Sequence, residues 1–154
     1  MDDETLEALR GFGGVWGRVE GRAEAAPPPL GDLAEAASRQ CELLSALARV
    51  CPRSSARLRR MASEEAALAA RLRAEDFLAG GGGCAASAAC AVVRNPLCGL
   101  REAYNAASAL GEALQAAANA APCALRRALD PLAAGERRRA CALRELILRA
   151  MCVN

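Results

Sequence analysis

Two stretches of this chain align with two later ones, and that repeat limits the possible fold more than any other feature. "ELLSALARVCP", Glu42 to Pro52, lines up with "EALQAAANAAP", Glu112 to Pro122, at an offset of 70 residues. "MASEEAALAARLR", from Met61, lines up with "LAAGERRRACALR", from Leu132, at an offset of 71. Each copy is a helical run, a turn at a proline and a second helical run, so a helix-turn-helix hairpin occurs twice. Gly80 to Gly83 and a stretch ending near Pro96 lie between the copies. Two antiparallel hairpins joined by one long crossover leave the second and third helices of the bundle parallel, so the connector must travel the bundle's length. A helix of about 26 residues is ~39 Å long, and a connector of about 18 residues spans up to ~60 Å.

Composition agrees with helices. Alanine, leucine and arginine dominate, lysine and histidine are absent, isoleucine occurs once, and aromatics make up 3%. With so few strand-forming residues the chain is predicted to be all-α, with a core of Leu and Ala that suits closely spaced helices. A first helix is expected within residues 1–24, with Leu6, Leu9, Phe12, Trp16 and Val19 on one side and several glycines weakening it. A Pro-rich linker at 25–31 breaks the chain. A four-helix bundle is expected over 32–154, with a crossover at about 79–97. Its helices fall at about 32–50, 53–78, 98–120 and 123–150. The first stops before Pro52, because the residue preceding proline avoids helical geometry. Pro131, with Asp130 before it as a cap, is expected to kink or restart the last helix.

The seams of the bundle contain a contradiction. Leu33, Ala37, Gln40, Leu44 and Leu47 form one stripe, and Leu100, Ala103, Ala107, Leu110, Leu114 and Ala117 form another. In the second helix Met61, Glu65, Leu68 and Leu72 keep the spacing of a core-facing stripe, yet one of the four is a carboxylate. In the fourth, Leu132, Glu136, Arg139 and Leu143 repeat that spacing. A buried charge needs a partner, a metal or a shifted pKa.

These residues resemble the ferritin-like di-metal bundles, and among them the small bacterial rubrerythrin-like proteins. That family takes one glutamate from each of two helices and a Glu-x-x-His motif from each of the other two, all pointing inward. "EEAALA" resembles the motif with Leu68 in the histidine place, and "GERRRA" resembles its second copy with Arg139 there. The resemblance implies a glutamate, followed by a tyrosine seven residues later, in the other two helices. Those places hold Ala37 with Leu44, and Ala107 with Leu114. Of the six ligands the family implies, only Glu65 and Glu136 remain. Two carboxylates cannot supply the oxygen and imidazole donors that a pair of irons needs, so no metal and no cofactor are expected. If the hairpins pair as the resemblance implies, Glu65 and Glu136 face each other and the Arg139 fork can bridge both. The alternative is a slight rotation of the helices that takes all three to solvent. Glu64 could also take the inward angle in place of Glu65.

Several function classes are excluded or left without support. Without histidine there is no Cys-His or Ser-His pair, and "GGGG" lacks the Lys-Ser/Thr of a phosphate loop. The net charge is +2. The arginine pairs and the run Arg137 to Arg139 are interspersed with glutamates and carry no interleaved aromatics, which argues against a nucleic-acid surface. The acidic start has no signal-peptide core and the longest uncharged run is too weakly apolar for a membrane span, so a cytoplasmic protein with no membrane partner is expected. None of the eight cysteines forms a C-x-x-C pair. They are expected to be small buried hydrophobes and a few free loop thiols, with Cys84, Cys90 and Cys98 the one cluster suited to redox or metal chemistry. The expected function is a metal-free, non-catalytic bundle serving as a structural or protein-interaction module, self-associating as a homodimer. The alternative is a metal-binding oxidoreductase or metal-storage protein with a rearranged site.

Overall fold

The structure is a computed structural model that describes residues 29–82 and 91–152. The expected first helix within 1–24, linker residues 25–28, Cys84 and Cys90 lie outside the described residues. All regular structure among the described residues is helical, as the composition predicts: α1 (Leu30–Val50), a 3-10 turn (Pro52–Ser54), α2 (Ser55–Leu78), α3 (Pro96–Ala120) and α4 (Cys123–Cys152). No helix among them is long and apolar enough to cross a membrane.

The helix ends follow local chemistry. Pro52 has no N–H to continue α1, and the chain turns through one 3-10 turn into α2. α2 stops at Gly80, whose φ of +82° is the left-handed conformation that glycine adopts without strain. There the Gly81 N–H donates to the Asp76 carbonyl at 2.8 Å. Asn95 caps α3 by accepting from the N–H groups of Leu97 (2.9 Å) and Cys98 (3.2 Å), with Pro96 in the first helical position. At the other end Arg126 donates to the carbonyls of Ala118 (3.0 Å), which also accepts from the Ala121 N–H, and Asn119 (2.7 Å) in the last turn of α3. The restart expected at Pro131 does not occur: α4 runs through it, and Asp130 is interior to the helix rather than a cap. Pro131 and Arg127, whose carbonyl loses its partner, are both exposed, so water can take the place of the missing bond.

The directions of the helices follow from two apolar clusters, one at each end of the bundle. The first joins Leu44 and Leu47 near the end of α1, Leu58 near the start of α2, Leu100 near the start of α3 and Leu143 near the end of α4. The second joins Leu33, Leu72, Leu114 and Leu129, from the opposite ends of the same helices. α1 therefore runs up, α2 and α3 down, and α4 up. α1 packs along α2, α3 along α4, and α1 along α3, while α2 and α4 touch only lightly. The end of α2 and the start of α3 therefore lie at opposite ends of the bundle.

The repeat is visible in what the helices bury. At an offset of 70, Leu33, Ala37, Gln40, Leu44 and Leu47 map onto Ala103, Ala107, Leu110, Leu114 and Ala117, and all ten are buried. At an offset of 71, Leu58, Ala62, Glu65, Leu68 and Leu72 map onto Leu129, Ala133, Glu136, Arg139 and Leu143, again all buried. The seams read from spacing are the seams of the structure, except that Leu132 is only half-buried and Leu129 and Ala133 take the inward places beside it.

Candidate functional site

Between the two apolar clusters lies one polar layer. Its members are Gln40, Glu65, Glu136 and Arg139, the only polar side chains buried among the described residues. Glu65 is 0% exposed, Glu136 1% and Arg139 8%. The register forces this. Glu65 falls on the inward face of α2 between Ala62 and Leu68, and Glu136 on that of α4 between Ala133 and Ala140. Arg139 is one turn beyond Glu136, so its long side chain lies over the same level.

Arg139 connects the two hairpins. Its Nη1 donates to Glu65 Oε1 at 2.9 Å and also to Glu136 Oε1. Its Nη2 lies 3.6 Å from Oε2 of Glu64, which is 49% exposed on its side chain. The choice between Glu64 and Glu65 is thus resolved: Glu65 points inward, and Glu64 borders the cluster from the surface. Gln40 completes the layer from α1, donating through Nε2 to the Ala103 carbonyl of α3 at 2.7 Å. Gly111 of α3 lets the helices close on the cluster, since a Cβ placed there would stand 3.2 Å from the Cβ of Glu136. Its counterpart in the repeat, Cys41, is near enough to Glu65 for the carboxylate's charge to act on its thiol.

The electrostatics leave one negative charge in excess if both carboxylates ionise. Burial, with the adjacent Glu136 charge adding to it and Arg139 opposing it, pushes the pKa of Glu65 up to about 8. Burial also raises that of Glu136, against the pull of Arg139. For Arg139 burial works against the charge, but Glu65 and Glu136 outweigh it and hold the guanidinium protonated. Glu65 Oε2, Glu136 Oε2, Arg139 Nε and Gln40 Oε1 are buried without a hydrogen-bond partner. A proton held on Glu65 below about pH 8 removes that carboxylate's charge from beside Glu136.

A di-metal centre does not fit these residues. Ala37 and Ala107 have no donor atoms, Leu68 is apolar, and the Arg139 guanidinium fills the gap between the two carboxylates. Among the described residues no group of three or more His, Cys, Asp or Glu side chains converges as metal ligands would. The two half-buried thiols among the described residues are shifted away from reactivity. Burial, offset in part by a hydrogen bond with Ser45, raises the Cys41 pKa, and burial raises that of Cys51, away from the reactive thiolate. The expectation of small buried cysteines is corrected. Cys41 and Cys51 are only half-buried, and Cys98, Cys123, Cys141 and Cys152 are exposed, because they stand off the seams. Cys98 sits in the first turn of α3.

Sequence reasoning found Glu65, Glu136 and Arg139 and missed the roles of Gly111 and Cys41. The signal for these two was present, since they are repeat equivalents one turn from the seam residues Ala107 and Ala37. Comparison with protein-family models, with curated proteins and with solved structures gives no match for this chain.

Proposed function

We propose that this chain is a ferritin-like four-helix bundle whose metal centre has been replaced by an ionic cluster, and that it works as a structural or protein-interaction module without catalysis. The order up, down, down, up supports the ferritin-like reading. So does the placement of Glu65 and Glu136 at equivalent positions of a repeat. The observation that carries the proposal is the Arg139 guanidinium standing between the two carboxylates. A fixed cation on a side chain balances charge that a bound ion would otherwise have to balance. It offers no open coordination position and no redox couple.

Metal analysis of protein purified without chelators tests this reading. Iron, manganese and zinc are expected well below one per chain, and adding iron(II) or zinc should leave the melting temperature unchanged. Stoichiometric metal, lost when Glu65 and Glu136 are both replaced by alanine, would favour a metal-binding oxidoreductase or storage protein instead. The module role implies a partner, and a second copy of the chain is the one proposed. Sedimentation at micromolar concentration should give a homodimer.

A further inference from the structure

Because α2 and α4 touch only lightly, an open cleft of about 470 Å³ lies between them and reaches Arg139. Four guanidinium groups line it: Arg57 and Arg60 from α2, Arg138 and Arg139 from α4. Glu64 is the one carboxylate that lines it among the described residues. Its Oε1 accepts from Arg60 Nε at 3.2 Å, and its Oε2 stands 3.6 Å from Arg139 Nη2, too far for a hydrogen bond. Arg139 is 8% exposed. Its Nη1 serves the two buried carboxylates, while its Nη2, beside the cleft, makes no hydrogen bond among the described residues. Arg138 makes no ion pair among the described residues, and its Nη2 lies close to Gly135, which also lines the cleft. Arg57 shares its charge with Glu145, whose side chain is 56% exposed and lies outside the cleft.

We propose that this cleft binds a phosphate dianion, which takes the place of the Glu64 carboxylate between Arg60 and Arg139. Glu64 already shows that an anion is accepted there. It holds the place weakly, since its side chain is 49% exposed and an exposed ion pair contributes little. A monoanion would offer no more than Glu64 does. A dianion brings a second charge for Arg138, and its tetrahedral oxygens reach several guanidinium forks at once. The cleft has the size of a small-molecule site, typically ~300–1,000 Å³. No aromatic side chain lines it among the described residues, so it offers a nucleobase nothing to stack on. The ligand class is therefore free phosphate or a small phosphate monoester without an aromatic group.

Calorimetric titration with inorganic phosphate and with glycerol phosphate tests this, at about pH 7.5, where a monoester carries nearly two charges. Binding should saturate near one ion per chain, raise the melting temperature, and be absent with chloride at equal ionic strength. Arg60→Gln and Arg138→Gln change exposed residues and leave the buried cluster intact. Each should weaken binding about tenfold. Glu64→Gln removes the internal competitor and should tighten it about tenfold. Arg101→Gln, an exposed change on α3 with the same loss of charge, should leave it unaltered. Tighter binding of glycerol phosphate than of inorganic phosphate assigns the site to an ester, and equal binding to the free ion; either supports it. A phosphate response no greater than that of chloride, an equal loss in Arg101→Gln, or unchanged or weakened binding in Glu64→Gln would each overturn the proposal.

Discussion

Arg139 and Glu65 are 74 residues apart in sequence and sit on different hairpins, yet Nη1 of one stands 2.9 Å from Oε1 of the other. α2 and α4 otherwise touch only lightly, and this bond joins them. Its partner bond to Glu136 keeps the guanidinium at the level of both carboxylates. Removing one member of a buried ionic cluster typically costs ~3–5 kcal/mol, because an uncompensated charge stays behind, while replacing the whole cluster by apolar residues is often neutral or stabilising. Arg139→Leu alone should therefore destabilise the fold by about that amount. Combined with Glu65→Leu and Glu136→Leu, it should recover most of the loss. Leu68, the repeat counterpart of Arg139, shows that leucine is accommodated at this level. Urea melts of the single and triple variants decide it, and a single variant as stable as the parent defeats the idea.

The raised pKa of Glu65 gives the stability a pH dependence with a definite sign. An ordinary glutamate titrates near ~4.3, whereas Glu65 in the fold titrates at about 8. Between those values the folded state holds a proton that the unfolded state has released, so stability falls as pH rises. The contribution is fully present below the lower value and lost once pH passes the upper one. Glu136, also raised, acts in the same direction. Glu145, lowered mainly by its hydrogen bond with Arg57, contributes with the opposite sign but only in the acid range. The parent should become easier to unfold in urea between about pH 5.5 and 8.5. Glu65→Gln, which cannot lose a proton, should flatten that slope. A parent curve already flat over this interval would show that the cluster takes up no proton on folding.

The seams, the hairpins and the buried carboxylates were legible in the sequence because the repeat states them twice. Leu44 and Leu114, or Glu65 and Glu136, confirm each other across a fixed offset, which no single periodic stretch can do. Arg139 was legible for a related reason: its counterpart Leu68 is buried, so a charge at the same place had to find an anion. Pro131 misled as to a restart because a helix can continue through a proline where the carbonyl it strands is open to water, and exposure of Arg127 is a tertiary fact. The cysteines misled because residue type outranked position. Cys123, Cys141 and Cys152 point outward on α4 whatever their average preference for the interior. The position of Gly111, one turn from Ala107, was legible from spacing, but the closeness of α3 to α4 that gives it its role depends on how the hairpin packs.

Gln40 tests the repeat in another way. It is the only uncharged polar member of the buried layer, and its repeat counterpart is Leu110. Its one bond is to the Ala103 carbonyl, an acceptor that the helix already supplies with a donor, and its own Oε1 has no partner. Gln40→Leu removes an average hydrogen bond, worth about 1 kcal/mol, together with an unsatisfied acceptor that costs a similar amount. The variant should unfold within about 1 kcal/mol of the parent. A loss of several times that would mean that Gln40 orders the polar layer beyond its own contacts, through water or through Glu65.

Two glycines inside helices should respond in opposite ways to the same substitution. Glycine in a helix interior costs roughly 0.5–1 kcal/mol relative to alanine. At Gly135 in α4 an added Cβ meets nothing nearer than Arg138 Nη2 at 3.9 Å, so Gly135→Ala should stabilise by about that amount. At Gly111 in α3 the added Cβ would stand 3.2 Å from the Cβ of Glu136 and 3.8 Å from the Ala133 carbonyl. That atom of Glu136 lies next to the backbone and cannot swing aside, so α3 must move away from α4. Overpacking of this kind costs about 1–3 kcal/mol, which exceeds the gain in helix propensity. Gly111→Ala should therefore lower the melting temperature while Gly135→Ala raises it. Any displacement of Glu136 also stretches its bond to Arg139, so the Gly111 variant should lose part of the alkaline sensitivity assigned to the cluster. Equal stabilisation by both alanines would show that α3 and α4 have slack at the level of the ionic layer, and that the cluster does not depend on their close approach.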